Sequence, residues 1–331
     1  MSGVGLVLGA GGVVGQAYHA GVLAALEHDL AWDPRTADVI VGSSAGSVTG
    51  SLLRLGVTAS DLAALAVDAP LSVEGASLMG RLTEEHGAFP PMDMREWLRG
   101  WRPPSPRLLA RMARKPWAVR PSVAAMTMLP AGSVDITGRA RLLDAEVGDR
   151  WPDGLWICAA RRDDGRRVVF GREGAPTARL ADAVLASCAI PGYFAPVDIG
   201  GVQYFDGGVH SPTNADVLRS LHLDLVVVVS PMSAAQGRSR TLDAPLRWTA
   251  HRRLAAEVKR LRTPGSPTKV VTFEPGARSS AAMGLNAMAI DRSAAVVQAA
   301  FLEAGRRASR VRAASRLAAI THSRARRRTV A

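Results

Sequence analysis

A serine flanked by glycines is the feature of this chain that is best suited to nucleophilic chemistry. Residues 42–46 spell GSSAG, a G-x-S-x-G pattern with Ser44 at its centre. The preceding apolar run, 37–41, favours a β-strand, and residues 47–53 can continue as a helix. Glycine neighbours let such a turn close tightly, which exposes the hydroxyl and points the helix N-terminus at a reacting carbonyl. Because this short pattern also fits an ordinary Gly/Ser turn, the prediction of a nucleophile needs further motifs.

A glycine-rich segment near the N-terminus is the first of these. Residues 4–8 favour a buried strand, the GAGGVVG sequence at 9–15 favours a turn, and 16–29 favours a helix with an apolar face. Such a turn presents backbone N–H groups to an anion, either a diphosphate or the oxyanion of an acyl-transfer intermediate. The dinucleotide fingerprint G-x-G-x-x-G can be aligned from Gly9, but its third glycine falls on Val14. Nucleotide binding is therefore the weaker alternative.

The second accompanying motif is an aspartate followed by two glycines. Residues 204–208 spell YFDGG, which places Asp206 at the end of a short strand pattern and before a tight turn. On its own, Asp-Gly-Gly is more often a plain turn than a catalytic base. Its significance comes from following the other two motifs in this order.

The three motifs together resemble the patatin-like phospholipase family. Two further segments carry the resemblance, namely 15–27 after the glycine loop and 186–196 before the aspartate. The resemblance covers about residues 3–68 and 177–230 and is poor in the middle and in the C-terminal third. It implies an α/β fold, a three-layer α/β/α sheet flanked by helices.

The resemblance also implies a Ser–Asp dyad and a reaction. Ser44 would be the nucleophile, Asp206 would accept its proton, and the N–H groups of Gly11 and Gly12 would form the oxyanion hole. The implied activity is lipid acyl hydrolysis of the phospholipase A or lysophospholipase type, through an acyl-enzyme intermediate and without metal or cofactor. The glycines that support the three motifs are Gly9, Gly15, Gly42, Gly46, Gly207 and Gly208.

The chain departs from the family pattern in the glycine loop. The family usually carries Arg or Lys where this chain has Val14, and Ala10 replaces the first glycine of the run. These departures keep two alternatives open on the same fold, a catalytically weak lipid-binding protein and a transacylase. A Ser-His-Asp esterase of the α/β-hydrolase type is less favoured, because no histidine lies in a recognisable loop after a strand. The candidates for that histidine are His210, His222, His251 and His322, and a surface or helix position is favoured for all four.

Composition and element patterns indicate one large domain. The chain has 331 residues, of which 47% are hydrophobic, so it can bury a sizeable core. Alternating strand and helix patterns favour a sheet covered by helices. We expect an acyl hydrolase domain over 1–300 with a cap inserted at 69–134, and a helix end and arginine-rich tail over 301–331. Further strands are predicted at 155–160, 168–170, 225–230 and 269–273.

Two cysteines in apolar contexts, Cys158 and Cys188, indicate core residues and a reducing compartment. We expect no signal peptide, because the N-terminus lacks a basic region and its glycines belong to the predicted loop. No apolar run reaches the roughly 18–20 residues of a membrane span. The expected location is cytoplasmic, with peripheral contact at the inner membrane face.

The net charge of +12 is concentrated in a few segments. Between residues 97 and 134 there is no acidic residue, and arginines alternate there with leucine, methionine and tryptophan. Such a surface suits an anionic bilayer, although an inward-packed lid is an equal alternative. Residues 245–262 predict a helix with a charged face over a core stripe of Leu254, Val258 and Leu261. With only 5% aromatic residues and no recognition motif, specific nucleic-acid binding is not expected. The oligomeric state is left open.

Overall fold

The apolar runs of the sequence form a mixed β-sheet of eight strands. The computed structural model describes six stretches of the chain, residues 3–82, 104–136, 140–148, 150–235, 241–262 and 268–310. In chain order the strands are β1 (Val4–Leu8), β2 (Val39–Ser43), β3 (Leu155–Arg161), β4 (Arg167–Phe170), β5 (Val197–Ile199), β6 (Val202–Asp206), β7 (Leu225–Val229) and β8 (Lys269–Phe273).

Helices connect most of these strands. The described α-helices are α1 (Gly12–Leu30), α2 (Ala45–Leu55), α3 (Ala59–Ala66), α4 (Val73–Leu82), α5 (Pro106–Arg114), α6 (Pro121–Thr127), α7 (Arg141–Val147), α8 (Leu180–Cys188), α9 (Ala244–Leu261), α10 (Ala277–Met283) and α11 (Ser293–Arg310). Short 3₁₀ helices lie at Pro34–Thr36, Pro116–Ala118, Gly207–Val209, Ala215–Leu221 and Ile290–Arg292.

The sheet has a parallel centre and an antiparallel side. Strands β8, β7, β1, β2 and β3 pair in that order, all in parallel. Both β4 and β6 pair with β3 in the antiparallel direction, and β5 pairs with β6. The predicted α/β fold class is therefore confirmed, with an antiparallel extension that the sequence pattern did not reveal.

The period of two along the strands separates two cores, one on each face of the sheet. In β7, Leu225, Val227 and Val229 enter one core, whereas Val226 and Val228 enter the other. Helices α1, α2, α8 and α11 cover the first face, which we call the α1 face. Helix α9 and the 3₁₀ helix at Ala215–Leu221 cover the second, which we call the α9 face. Burial on both faces explains the continuously apolar sequences of β1 and β7.

Helix α1 begins earlier than the sequence predicted. The prediction placed its start at residue 16, but the helix runs over Gly12–Leu30. Gly15 N–H already donates to the Gly11 carbonyl oxygen at 2.9 Å, which closes the first helical turn inside the glycine-rich segment. The helix is also buried over most of residues 14–26 rather than along one stripe, because α11 covers its outer side.

The basic segment, residues 97–134, is described from residue 104 onwards. Its helix α6 packs on the α9 face, whereas Val134 enters the core of the α1 face. Val123 contacts Ala160 and Phe205, and the Ser122 hydroxyl donates to the Val209 carbonyl oxygen at 2.9 Å. Prolines that interrupt this sequence begin its short helices, as their fixed φ and missing N–H favour. Residues 83–103 lie outside the described residues, and the assignment of 69–134 as a cap stays a prediction.

Helix α9 has the predicted apolar stripe and two buried charges that were not predicted. Leu254 and Leu261 are buried in the core of the α9 face. Arg247 is also buried and pairs with Asp243 at 2.7 Å, while the Glu257 carboxylate accepts a hydrogen bond from the Thr213 hydroxyl at 2.6 Å.

At the C-terminal end of the described chain, residues 301–310 complete α11, and the arginine-rich tail from 311 to 331 lies outside the described residues. Among the helices that the structure describes, none is both long enough and apolar enough to cross a bilayer.

The crossing of α1 over α11 provides a test of this packing. A Cβ atom on Gly21 would lie 2.4 Å from the Val297 carbonyl oxygen and 2.8 Å from the Ala300 Cβ atom. We expect Gly21→Ala to lower the free energy of unfolding by about 1–3 kcal/mol in urea denaturation, because helix backbone has to move. Gly80→Ala on α4 is the control, since nothing lies within 4 Å of its added Cβ. Equal unfolding curves for Gly21→Ala and the wild type would contradict the close crossing.

Candidate active site

Ser44 lies at the elbow between β2 and α2 in a strained backbone conformation. Its φ of 53° and ψ of −122° are unfavourable for a residue with a Cβ atom. The flanking glycines allow this geometry, as the sequence predicted. A Cβ on Gly46 would lie 1.9 Å from the Leu8 carbonyl oxygen, and one on Gly42 would lie 2.5 Å from the Gly46 carbonyl oxygen. Strand and helix therefore approach each other more closely than larger residues would permit.

Buried hydroxyl groups hold the elbow in place. The Ser44 N–H donates to the Ser187 Oγ at 2.8 Å, and the Ser187 hydroxyl donates to the Cys158 carbonyl oxygen at 2.7 Å. On the other side, the Ser47 hydroxyl donates to the Ser44 carbonyl oxygen at 2.7 Å. The elbow is thus tied to α8 and β3 as well as to its own helix.

The register of the sheet brings Asp206 to this elbow. Ser43, the last residue of β2, pairs with Cys158 on β3, and Asp206, the last residue of β6, pairs with the next residue, Ala159. Because β4 occupies the opposite edge of β3 at the same positions, β2 and β6 lie end to end along one edge. Their two ends meet, and the predicted nucleophile and the predicted proton acceptor meet with them.

The Asp206 carboxylate is buried, and the Ser44 hydroxyl lies near enough to favour its charged form. The carboxylate accepts a hydrogen bond from the Gly208 N–H at 2.7 Å. Burial raises the pKa of Asp206 to about 6, although the Ser44 hydroxyl and the Gly208 N–H both oppose the rise. An aspartate with this pKa is a far better proton acceptor at neutral pH than one in water.

The glycine loop reaches Ser44 through Gly12, which lines the same cavity. Gly9 and Ala10 donate their N–H groups to the carbonyl oxygens of Val229 and Pro212, at 2.9 and 2.7 Å. Among the described residues, no backbone carbonyl accepts a hydrogen bond from Gly11 or Gly12. Gly12 also has a φ of +62°, which favours glycine. The arrangement suits an oxyanion better than a second protein group.

An apolar cavity of about 400 Å³ opens beside Ser44 and Gly12 on the α1 face. Its walls come from α2, α4, α7 and α8 and include Val48, Leu52, Met79, Leu143, Val184 and Phe194. We call it the acyl pocket. A larger cavity of about 790 Å³, lined partly by residues 171–182, contains neither Ser44, Asp206 nor the glycine loop. The acyl pocket is therefore the cavity that a substrate of Ser44 would occupy.

Asn214 is a buried hub that sequence reasoning missed. Its side-chain amide donates to the Ser43 hydroxyl at 2.9 Å and to the carbonyl oxygens of Gly207 and Ser211 at 3.1 and 2.8 Å. It therefore joins the residue before the elbow to the residue after Asp206. The nearby proline and turn residues in the sequence signal a loop, but no local pattern reveals this long-range contact.

The described histidines do not form a triad with Ser44 and Asp206. Among the described residues, no histidine forms a hydrogen bond with either of them. His210 contacts Asn214 at 3.3 Å, and His251 contacts Glu274 at 2.7 Å. His222 lies in an exposed turn, and His322 lies outside the described residues.

His19 on α1 is fully buried against Thr49, and burial lowers its pKa to about 3. It is therefore neutral at physiological pH. Val14, at the position where the family usually carries a cation, is buried in the core of the α1 face. Also within the described residues, no group of three His, Cys, Asp or Glu side chains could hold a metal ion.

A serine on a strand-to-helix elbow lies beside a buried aspartate and a glycine loop, on a mixed sheet between helical layers. This combination of fold and site defines a class of α/β proteins. The chain belongs to the patatin-like phospholipase family, whose model matches residues 6–219. Membership supports lipid hydrolysis as the general activity.

The similar solved structures are distant. VipD from Legionella pneumophila is 13% identical, with a TM-score of 0.39, over 92% of this chain and 66% of that chain. The type III effector protein ExoU is 17% identical, with a TM-score of 0.34, over 92% of this chain and 53% of that chain. A structure of ExoU with SpcU from Pseudomonas aeruginosa gives the same identity and TM-score. The chain thus spans between half and two thirds of their length. No protein with a curated function matches it.

The raised pKa of Asp206 predicts a pH-dependent cost in stability. Its ordinary value is 3.8 and its folded value is about 6, so the folded chain binds the proton more tightly and loses stability as pH rises between these values. We expect Asp206→Asn to be more stable than the wild type at pH 8 by up to about 3 kcal/mol, and the difference to fade below pH 4. Urea denaturation at both pH values measures this. A difference that does not change with pH would contradict a buried, ionisable Asp206.

The contribution of the Asn214 side chain to stability can be separated from the effect of its backbone conformation. Its φ of 52° favours glycine, so Asn214→Gly keeps the backbone relaxed and removes only the side-chain hydrogen bonds. We expect it to lower the free energy of unfolding by about 1–3 kcal/mol, and Asn214→Ala to lower it by about 1 kcal/mol more. Asn286→Ala is the control, since it removes a solvent-exposed hydrogen bond, from the Met288 N–H at 3.0 Å, instead of a buried one. Equal unfolding midpoints for Asn214→Gly and the control would show that the hydrogen bonds of the Asn214 side chain do not contribute to the free energy of unfolding.

Proposed function

We propose that the protein is a serine acyl hydrolase that cleaves an ester-linked acyl chain from a phospholipid or lysophospholipid. The observation that carries the proposal is the meeting of Ser44, on a strained elbow, with the buried carboxylate of Asp206. The activity needs neither a metal ion nor an organic cofactor, since the nucleophile and the base are both side chains.

Asp206 acts as general base and then as general acid. As the Ser44 Oγ attacks the ester carbonyl carbon, its proton passes to the Asp206 carboxylate. The tetrahedral intermediate then collapses and its bond to the alcohol oxygen breaks. Asp206 gives the proton to that oxygen, the alcohol departs, and the acyl group remains bound to Ser44 as an acyl-enzyme. Water then attacks the acyl-enzyme, Asp206 accepts a proton from that water, and the Ser44 hydroxyl is regenerated as the fatty acid departs.

The N–H groups of Gly11 and Gly12 stabilise the oxyanion in both steps. Support comes from the cavity that Gly12 shares with Ser44, while Gly9 and Ala10 donate their N–H groups to protein carbonyl groups. Helix α2 starts at Ala45, so the positive end of its dipole also faces the developing charge. One donor of this kind contributes on the order of 10²–10³ in rate.

The acyl chain occupies the acyl pocket. Its lining of aliphatic and aromatic side chains suits a hydrocarbon chain, and its volume of about 400 Å³ falls in the usual range for a small-molecule site. The polar headgroup then remains outside the pocket. The proposed substrate class is therefore phospholipids and lysophospholipids in general.

We further propose that the basic segment contacts an anionic membrane at the inner, cytoplasmic face. Trp117 is 82% exposed, and Leu109, Met126 and Met128 are exposed around the same short helices. Arg107, Arg114 and Lys115 provide positive charge beside them. Apolar side chains that enter the headgroup boundary and cations that meet anionic lipids are the two components of peripheral binding.

Fluorophosphonate labelling and ester hydrolysis test the proposed dyad. We expect Ser44→Ala to abolish labelling and to lower hydrolysis of a lysophospholipid by at least about 10³-fold, because the nucleophile is removed. Asp206→Asn should label slowly and lose activity by a factor of at least about 10², since general acid–base catalysis contributes this much. Ser51→Ala, another buried serine on α2, is the matched control and should behave like the wild type.

The pH profile gives a second measurement in the same experiment. Wild-type kcat/KM should fall as pH decreases through about 6, because a protonated Asp206 accepts no proton from serine. Labelling without release of fatty acid, but with acyl transfer to an added alcohol, would identify a transacylase. Absence of labelling in the wild type would favour lipid binding without catalysis and would overturn the proposed function.

A further inference from the structure

A cavity of about 290 Å³ on the α9 face is lined mainly by guanidinium groups. The basic residues in its lining are Arg111, Arg120, Arg166, Arg167, Arg172 and His210. The basic segment supplies two of these arginines, and the β3–β4 hairpin with its flanking turn supplies three. None of the lining residues that the structure describes is acidic, and none is shared with the acyl pocket. We call this the arginine cavity.

Backbone carbonyl groups orient two of the arginines. The Arg120 Nη1 donates to the His210 carbonyl oxygen at 2.9 Å, and the Arg111 Nη1 donates to the Asp164 carbonyl oxygen at 2.7 Å. A carbonyl oxygen fixes the direction of a guanidinium group but does not neutralise its charge. Arg120 is also only partly exposed, so its position is more restricted than that of a surface arginine.

Carboxylates behind the lining hold two other arginines. Arg167 pairs with Asp216 at 2.6 Å, and the more exposed Arg166 lies 3.4 Å from Asp164. These pairs anchor the side chains from outside the lining. The described lining itself therefore presents positive charge to whatever enters the cavity.

The ionisation of His210 is consistent with a positive potential in the cavity. Burial, together with the nearby charges of Arg120 and Arg167, lowers the pKa of His210 to about 3. Burial likewise lowers the pKa of Arg120 below its ordinary value; the charges of Glu257 and Asp216 oppose this shift, and those of Arg167 and Arg253 act with it. The two arginine charges that act on His210 would stabilise a group that bears negative charge beside it.

We infer that the arginine cavity is a binding site for a phosphate-type anion, either a free phosphate compound or the phosphomonoester headgroup of a lipid. Planar guanidinium groups on different elements can surround such an anion with paired N–H donors, and arginine suits phosphate geometry better than lysine. The site shares no residue with Ser44, Asp206 or the glycine loop, so it stands whether or not the proposed hydrolysis is correct.

Binding of inorganic pyrophosphate to the full chain, measured by isothermal titration calorimetry at low salt, tests this site. We expect saturable binding that the double variant Arg120→Gln/Arg172→Gln weakens at least about tenfold, because two cationic donors are lost. The double variant Arg278→Gln/Arg306→Gln is the matched control, since these exposed arginines on α10 and α11 lie outside the cavity lining and their loss lowers the net charge by the same amount. It should bind like the wild type.

Arg172→Gln alone keeps the test informative if the double variant fails to fold, because the Arg172 side chain is exposed and its loss should weaken binding by about threefold or more.

Sedimentation with phosphatidylcholine vesicles separates the two sources of phosphate. Stronger binding to vesicles with phosphatidic acid than to vesicles with phosphatidylserine at matched surface charge, and its loss in the variants, assigns a lipid headgroup. Pyrophosphate binding without this preference would identify a free phosphate compound as the ligand of the arginine cavity. Absence of saturable pyrophosphate binding, or equal affinity in wild type and variants, would overturn the proposal.

Discussion

Two strands that run in opposite directions end against the same edge of β3, and this meeting sets the positions of Ser44 and Asp206. The pairing of Ser43 with Cys158 and of Asp206 with Ala159 leaves no spare residue between the two ends. In a sheet, a shift by one residue turns every side chain of a strand to the opposite face. Such a shift in β6 would remove the carboxylate from the serine, so the sheet register is the constraint on which the proposed chemistry depends.

A buried polar network maintains this register. Ser187 joins the elbow to β3, and Asn214 joins β2 to the turn after Asp206. Such networks add rigidity only when each buried polar group finds a partner. The same exclusion of water that makes the network rigid raises the pKa of Asp206, which is what the proposed role as a base requires. Precision and reactivity at this site have a common physical origin.

Sequence patterns were most informative where the chemistry is local. The glycines around Ser44 and the strand ahead of them follow from steric needs within a few residues, and the apolar runs of β1, β7 and β8 were predicted within about one residue. The start of α1 was wrong by four residues, because the glycine loop is already part of the helix. The antiparallel pairing of β6 with β3, the contacts of Asn214 with Ser43 and the buried Glu257 of α9 involve partners 40 or more residues away. No local pattern carries that information. The catalytic roles and the cap stay predictions.

The backbone conformation of Ser44 has a consequence for how this chain changes over evolutionary time. Its φ of 53° is easily adopted by glycine and disfavoured for serine. Glycine at this position would relieve the strain while the neighbouring contacts are kept. A lineage with no use for the hydroxyl would therefore gain stability from that single replacement. Descendants that have become pseudoenzymes should accumulate glycine at the elbow, and retention of serine marks the branches under selection for turnover.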